Sequence, residues 1–165
     1  MFVPAEVLRS QIDYSAWASG LLVDAAAQLT PAELTRDFGT ADKSVLRTLV
    51  HVFGADCLWL ARMKREPANQ FLTEADYHLA VLQNDWPALY QQWKDWATGL
   101  TDEAAREELS YRDMRGNPWR RPLGQLVLHV VNHGTHHRGQ VSGFLRSMGH
   151  IPPQVDLVRY YLTIP

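Results

Sequence analysis

The sequence predicts an all-α fold, a bundle of four major helices with a small β-hairpin ahead of the last long helix. Three observations carry this reading. Apolar residues recur at helical spacing in four long stretches, the connections between those stretches differ in length, and one short segment around Arg115-Gly116-Asn117 alternates instead.

The first helix is expected within residues 4–28, PAEVLRSQIDYSAWASGLLVDAAAQ, where Pro4 is tolerated near a helix start. LTPAELTRDFGTADKS, rich in threonine and broken by proline and glycine, reads as a connection. Ser44 is placed to cap a second helix, VLRTLVHVFGADCLWLARMKR, running to about Arg65. That helix is apolar on nearly all sides, which predicts deep burial. Residues 66–82 are less regular, with a weak helical tendency. A third helix is expected from about Trp86 to Leu100, with Pro87 in its first turn and a further short turn at Thr101-Asp102.

LSYRDMRGNPWRRP predicts the hairpin, with Pro118 restricting it to edge strands. The longest helix runs from Pro122 to Met148, stopped by Gly149 and sealed by Pro152-Pro153. A final short helix is expected over Val155 to Leu162. No internal repeat appears, and the 165 residues suit a single domain spanning 1–165.

Bulk properties narrow the function classes. A net charge of −2, with both signs interspersed, argues against nucleic-acid or anionic-membrane binding. The single cysteine, Cys57, permits no intrachain disulfide and suits a reducing cytoplasm. MFVPAEVLRSQ lacks the features of a secretory signal, and no apolar run approaches membrane-spanning length. A soluble, cytoplasmic protein is expected.

The chemistry concentrates in HVVNHGTHHRGQ, residues 129–140, which holds four of the seven histidines. With His129 at zero and an advance of about 100° per residue, Leu126, Val127, Val130, Val141, Phe144 and Leu145 cluster at about 60° to 160°. His137 falls near 80° and His133 near 40°, inside or beside that face, while His129 and His136 lie at about 0° and −20°, on the polar boundary. His133 and His137, four residues apart, can therefore present two imidazole nitrogens to one metal ion. His51, flanked by Leu49, Val50, Val52 and Phe53, is the best third ligand; His78 and His150 lie in less regular regions. A lone His51 would read as a core histidine bonded to a carbonyl, and the pair alone as two solvated side chains on a surface helix. Three interior imidazoles together are costly to bury without partners, which favours a metal.

The string HxxxHxxHHRGQ (129–140), together with LVHVFGADCLWLAR (49–62) and YSAW (14–17), resembles the DinB/YfiT-like superfamily of four-helix-bundle metalloproteins. The resemblance spans nearly the whole chain, including YRDMRGNPWRRPL before the last long helix. It implies a divalent ion, often zinc or nickel, held by one histidine of the second helix and an HxxxH pair on the last. On this chain those are His51, His133 and His137, with no departure at the ligand positions. Some members of the superfamily are thiol transferases or isomerases using glutathione-like, bacillithiol or mycothiol cofactors, and homodimers are common among them. The resemblance implies the site rather than the reaction.

Three neutral histidines leave one coordination position open, as in catalytic zinc sites. A metal-bound water or thiol would then be the nucleophile, giving a metal-dependent hydrolase or thiol S-transferase acting on a small molecule. The alternative is a non-catalytic metal-binding or stress-related interaction protein whose ion is structural or sensory; a third is a helical dimerisation module without metal. No Ser/His/Asp arrangement offers a rival nucleophile, and Cys57 reads as an inert core thiol. Tyr14 and Trp17 would either wall the open position or pack as ordinary core aromatics. His129 and His136 stand as proton carriers, supports for the ligands or solvated groups; Asn132 and Gln140 as ligand-orienting amides or surface residues. Arg138 is expected to pair with an acidic neighbour. The basic run Arg112, Arg115, Arg120 and Arg121 either receives ligand carboxylates or forms a solvated hairpin.

Overall fold

Helix α1 (Ala5–Ala26) buries Leu8, Ile12, Ala18 and Leu22, one face of a 3.6-residue repeat. The computed structural model describes residues 2–67 and 72–164. A short α2 (Pro31–Thr35) follows, closed by a capping box in which Thr30 accepts from the Glu33 backbone and Glu33 reaches back to Thr30. Ser44 caps α3 (Val45–Met63) by accepting from the Arg47 amide at 3.2 Å, as its position predicted. A 3₁₀ turn (Glu74–Asp76) leads to α4 (Leu79–Thr98), and Thr101 caps the short α5 (Asp102–Arg106). Strands β1 (Glu108–Arg112) and β2 (Pro118–Pro122) pair antiparallel, with Tyr111 opposite Trp119. Helix α6 (Leu123–Ser147) and a short α7 (Leu157–Tyr161) complete the chain.

The four long helices form a ring in which α1 packs on α4 and α6, and α3 packs on the same two. Leu8, Leu22, Leu49, Val50, Leu82, Val127, Val141 and Leu145 fill the middle, each at most 1% exposed. Each buried aliphatic of this kind contributes about 1.5–3 kcal/mol relative to exposure. The all-helical bundle with a hairpin before the last long helix is thus as the sequence predicts. Among the described residues, no helix is long and apolar enough to cross a membrane.

The structure revises the sequence reading of three stretches: the connection after α1 contains the short helix α2, and α4 and α3 differ as follows. Helix α4 starts at Leu79, so Pro87 lies inside it rather than in its first turn. Proline forfeits one backbone hydrogen bond there. The helix runs through because its buried stripe, Leu82, Trp86, Leu89, Tyr90 and Trp93, is continuous across the proline. Helix α3 is buried along most of its surface, yet Arg47 and His51 are exposed, so its burial is not complete.

The hairpin turn is organised by Asp113. Its oxygens accept from the amides of Arg115 and Asn117, the Asn117 side chain and the Trp119 indole. The indole and Asn117 bonds chiefly pull the Asp113 carboxyl down to about 2. Gly116 completes the turn at φ +85°, a conformation that suits glycine.

Candidate metal centre

His51 projects from the second turn of α3, and His133 and His137 project one turn apart from α6. Because α3 packs directly on α6, the three rings meet although His51 lies far upstream. Ring centroids are 5.0 Å apart for His51 and His133, 4.6 Å for His51 and His137, and 4.5 Å for His133 and His137. One ring nitrogen from each lies within 4.8 Å of the others. The Nε2 atoms of His51 and His133 are 3.1 Å apart. Two nitrogens bound tetrahedrally to zinc at about 2.0–2.1 Å would stand about 3.3 Å apart, so the donor spacing fits a single small cation.

Electrostatics keeps the two α6 donors neutral. Burial, then the neighbouring imidazoles beginning with His137, pushes His133 down to about 4. Burial also lowers His137, against a hydrogen bond to Gln140 that favours its charged form. Nδ1 of His137 lies 2.7 Å from Oε1 of Gln140, an acceptor, so that nitrogen carries the proton and Nε2 keeps its lone pair.

Helical phase predicted the relative burial of the α6 histidines, but not the depth of the site. His137 is buried, His133 half-buried, and His51 exposed, with 44% of its side chain accessible. The group therefore sits at the rim of the bundle and opens to solvent on the α3 side, rather than facing the interior. His129 and His136 are exposed, as their boundary phase predicts. The His129 ring lies edge-on to Trp59 at 5.3 Å and 6.2 Å from His133; the His136 ring is 5.0 Å from His137. His78 precedes α4, and His150 pairs with Glu33 at 2.9 Å.

Sequence reasoning missed Asp42. Its two oxygens lie 3.8 Å from Nδ1 of His51 and 3.6 Å from Nδ1 of His137, too long for hydrogen bonds but close enough for charge. The loop that carries it is pinned to α6 by Phe38, whose ring stacks on Phe144 at 4.3 Å. It closes through a Phe38 amide bond to the Lys43 carbonyl, with Lys43 at φ +64°. The one local signal was a carboxylate just ahead of the Ser44 cap of the helix bearing His51.

Other expected neighbours lie elsewhere. Tyr14 and Trp17 pack with Tyr160 of α7 at centroid distances of 5.9 and 5.7 Å, and the Tyr14 hydroxyl donates to the Val155 carbonyl. Arg138, expected to pair with an acid, is 1% exposed and donates instead to the hydroxyls of Ser15, Ser19 and Thr135. Ser15 and Ser19 also bond the Tyr90 hydroxyl, continuing this polar seam through the core. Asp56, which accepts from the Trp86 indole at 2.9 Å, feels the Arg138 charge without a direct ion pair. Helix α6 packs on α1 as well as α3, so its buried arc is wider than one apolar stripe.

On the hairpin, Arg112 donates to the Gly116 carbonyl, Arg120 pairs with Glu108, and Arg121 donates to the Arg120 carbonyl. Arg112, Arg115, Arg120 and Arg121 are all exposed. Burial pushes the Cys57 thiol up to about 12, as suits an unreactive cysteine. A groove of about 510 Å³ between α1 and α4, lined by Ser19, Gly20, Trp86, Tyr90 and Lys94, includes none of the three histidines.

Comparison with known proteins agrees with this architecture. The chain is 20% identical over 157 residues to Protein DinB of Bacillus subtilis (strain 168), covering 90% of each. Its fold matches a crystal structure of a DinB-like protein from Bacillus cereus ATCC 10987 with a TM-score of 0.68 at 19% identity, over 94% of this chain and 100% of the other. A family model described as the DinB family matches residues 1–163, and on that match the chain belongs to the DinB family.

Proposed function

We propose that the protein is a metal-dependent enzyme of the thiol S-transferase or hydrolase type, with a divalent ion held by His51, His133 and His137. The observation that carries this reading is the convergence of three imidazole donors at a rim open to solvent. A divalent ion bound there would supply Lewis acidity to an incoming water or thiol. The chain's own part is to hold three imidazole donors in place. Gln140 fixes the His137 tautomer, and Asp42 offsets cationic charge from behind two of the rings. An all-histidine set suits zinc or nickel. The reading extends to a small-molecule substrate or low-molecular-weight thiol, a homodimer and a cytoplasmic setting, on the grounds of the sequence resemblance and the single cysteine.

The test is elemental analysis of untagged protein, followed by the three single alanine variants and a panel of thiol-transfer and hydrolytic substrates on the metal-loaded form. The expected result is about one divalent ion per chain in the wild type, lost in His51→Ala, His133→Ala and His137→Ala, with turnover on at least one substrate class. Full metal retention in all three variants overturns the ligand assignment. A metal that raises thermal stability but supports no turnover and exchanges with no added thiol returns the site to a structural or sensory role.

A further inference from the structure

We propose that Arg62 is the carboxylate-recognising residue of this site, binding the far end of a small ligand whose near end reaches the three histidines. The proposal rests on the metal-centre reading and adds a substrate class to it. Arg62 follows His51 by eleven positions on α3. Eleven residues are close to three helical turns, so the two side chains leave α3 on the same stripe, about 20° apart and about 16 Å along the axis. Ala55 and Leu58 occupy the same stripe between them, and both are half-buried. Across this stripe the His129 ring lies 6.2 Å from His133 and 5.3 Å from Trp59, the ring that Arg62 stacks on. A short apolar floor thus leads from the histidines to Arg62.

The guanidinium is held for recognition. It lies 4.6 Å from the Trp59 ring centroid and 5.0 Å from that of Tyr111. One Nη donates to the Arg112 carbonyl at 2.6 Å, which fixes the fork and leaves its other donors unused by that bond. Arg47, Arg65 and Arg120 pair with Glu74, Glu107 and Glu108, whereas no carboxylate among the described residues forms an ion pair with Arg62. Asp113 is near enough to be felt, but its oxygens are committed to the hairpin turn. At its far end Arg62 borders a cleft of about 450 Å³ beside β1 with Tyr111, Ser110, Arg65, Glu66 and Glu108, which gives space around the guanidinium but does not itself reach the histidines. A preorganised, half-desolvated cation without a counter-ion favours an anion. A single guanidinium balances the single charge of a carboxylate better than a phosphate dianion.

The experiment uses the full-length chain loaded with Co(II), titrated with ω-mercaptoalkanoates of about three to eleven carbons and with ω-mercaptoalkanols of matched length. Thiolate-to-cobalt charge transfer reports binding. In the wild type the acids should bind about tenfold more tightly than the alcohols at a preferred chain length. Arg62→Met should abolish that preference with Co(II) affinity unchanged, and Arg62→Lys should retain part of it. Equal binding of acid and alcohol by the wild type, or a preference that survives in Arg62→Met, overturns the proposal. A second readout needs no metal: the Arg62 ¹⁵Nε–H resonance, assigned by its absence in Arg62→Met, should move on adding 8-mercaptooctanoate but not 8-mercaptooctanol. If the wild type takes up no cobalt yet this resonance moves, the metal reading fails and the carboxylate site stands; if neither occurs, both fail.

Discussion

Oδ2 of Asp42 stands 3.6 Å from Nδ1 of His137, while its other oxygen faces His51, so one loop carboxylate backs histidines from two different helices. Carboxylates behind metal-binding imidazoles raise ligand basicity and fix ring orientation. Asp42→Asn keeps the shape and removes the charge. It is expected to weaken divalent-metal affinity by about 10–100-fold with little change in the melting temperature of the metal-free protein. Competition against a chelator of known affinity measures this; unchanged affinity would leave Asp42 as a loop residue only.

Gln140 holds the same nitrogen of His137 more closely, at 2.7 Å. Gln140→Leu removes the acceptor that selects the tautomer, and the expected loss of metal affinity is again about tenfold or more. Because both residues act on one ring, the double variant with Asp42→Asn should fall short of the product of the single effects. Full additivity would show that the two act independently.

The glycines of α6 separate packing from propensity. A Cβ at Gly134 would lie 2.8 Å from Nη1 of Arg138, whose guanidinium is held by three hydroxyls, whereas one at Gly143 would meet nothing within 4 Å. Gly143→Ala should therefore stabilise by up to about 1 kcal/mol, the helix-propensity gain. Gly134→Ala should destabilise by about 1–3 kcal/mol despite the same gain, because moving the guanidinium strains its bonds to the three hydroxyls. Urea unfolding of the two variants gives the signs directly, and a stabilised Gly134→Ala would show that the Arg138 seam is soft.

What the sequence disclosed follows from how local each feature is. His133 and His137 share one helix, so a 3.6-residue period was enough to pair them and to set His129 and His136 apart. His51 stood out as an imidazole inside an apolar helix, but which way it points depends on how α3 meets α6, and that has no local signature. Asp42 depends on the Phe38–Phe144 stack, a contact between a loop and a distant helix. The Arg138 seam left one trace, Ser15 and Ser19 four residues apart on a mainly apolar helix. That trace becomes meaningful only when α1, α4 and α6 are assembled around Tyr90. The start of α4 was misplaced because Pro87 carries a strong local signal against helix interiors, which tertiary burial of Trp86 and Tyr90 overrides.

Asp56 gives a pH signature for the core. Burial raises its carboxyl from the ordinary 3.8 to about 6, against hydrogen bonds from Trp86 and Tyr90 and the charge of Arg138. Between pH 4 and pH 6 the folded protein keeps a proton that the unfolded chain has released. Over that window Asp56 makes stability fall as pH rises, by up to about 3 kcal/mol, and its effect is constant above it. His133, lowered to about 4, acts in the opposite sense, since the unfolded chain binds the extra proton there and stability rises with pH. Comparing the wild type with Asp56→Asn cancels the histidine contribution, and asparagine can still accept from the Trp86 indole. The stability difference, wild type minus variant, should shrink or reverse from pH 4 to pH 6 and then level off in urea unfolding. A difference that stays constant across the window would mean that Arg138 keeps Asp56 ionised throughout, making the seam a buried charge pair bridged by hydroxyls.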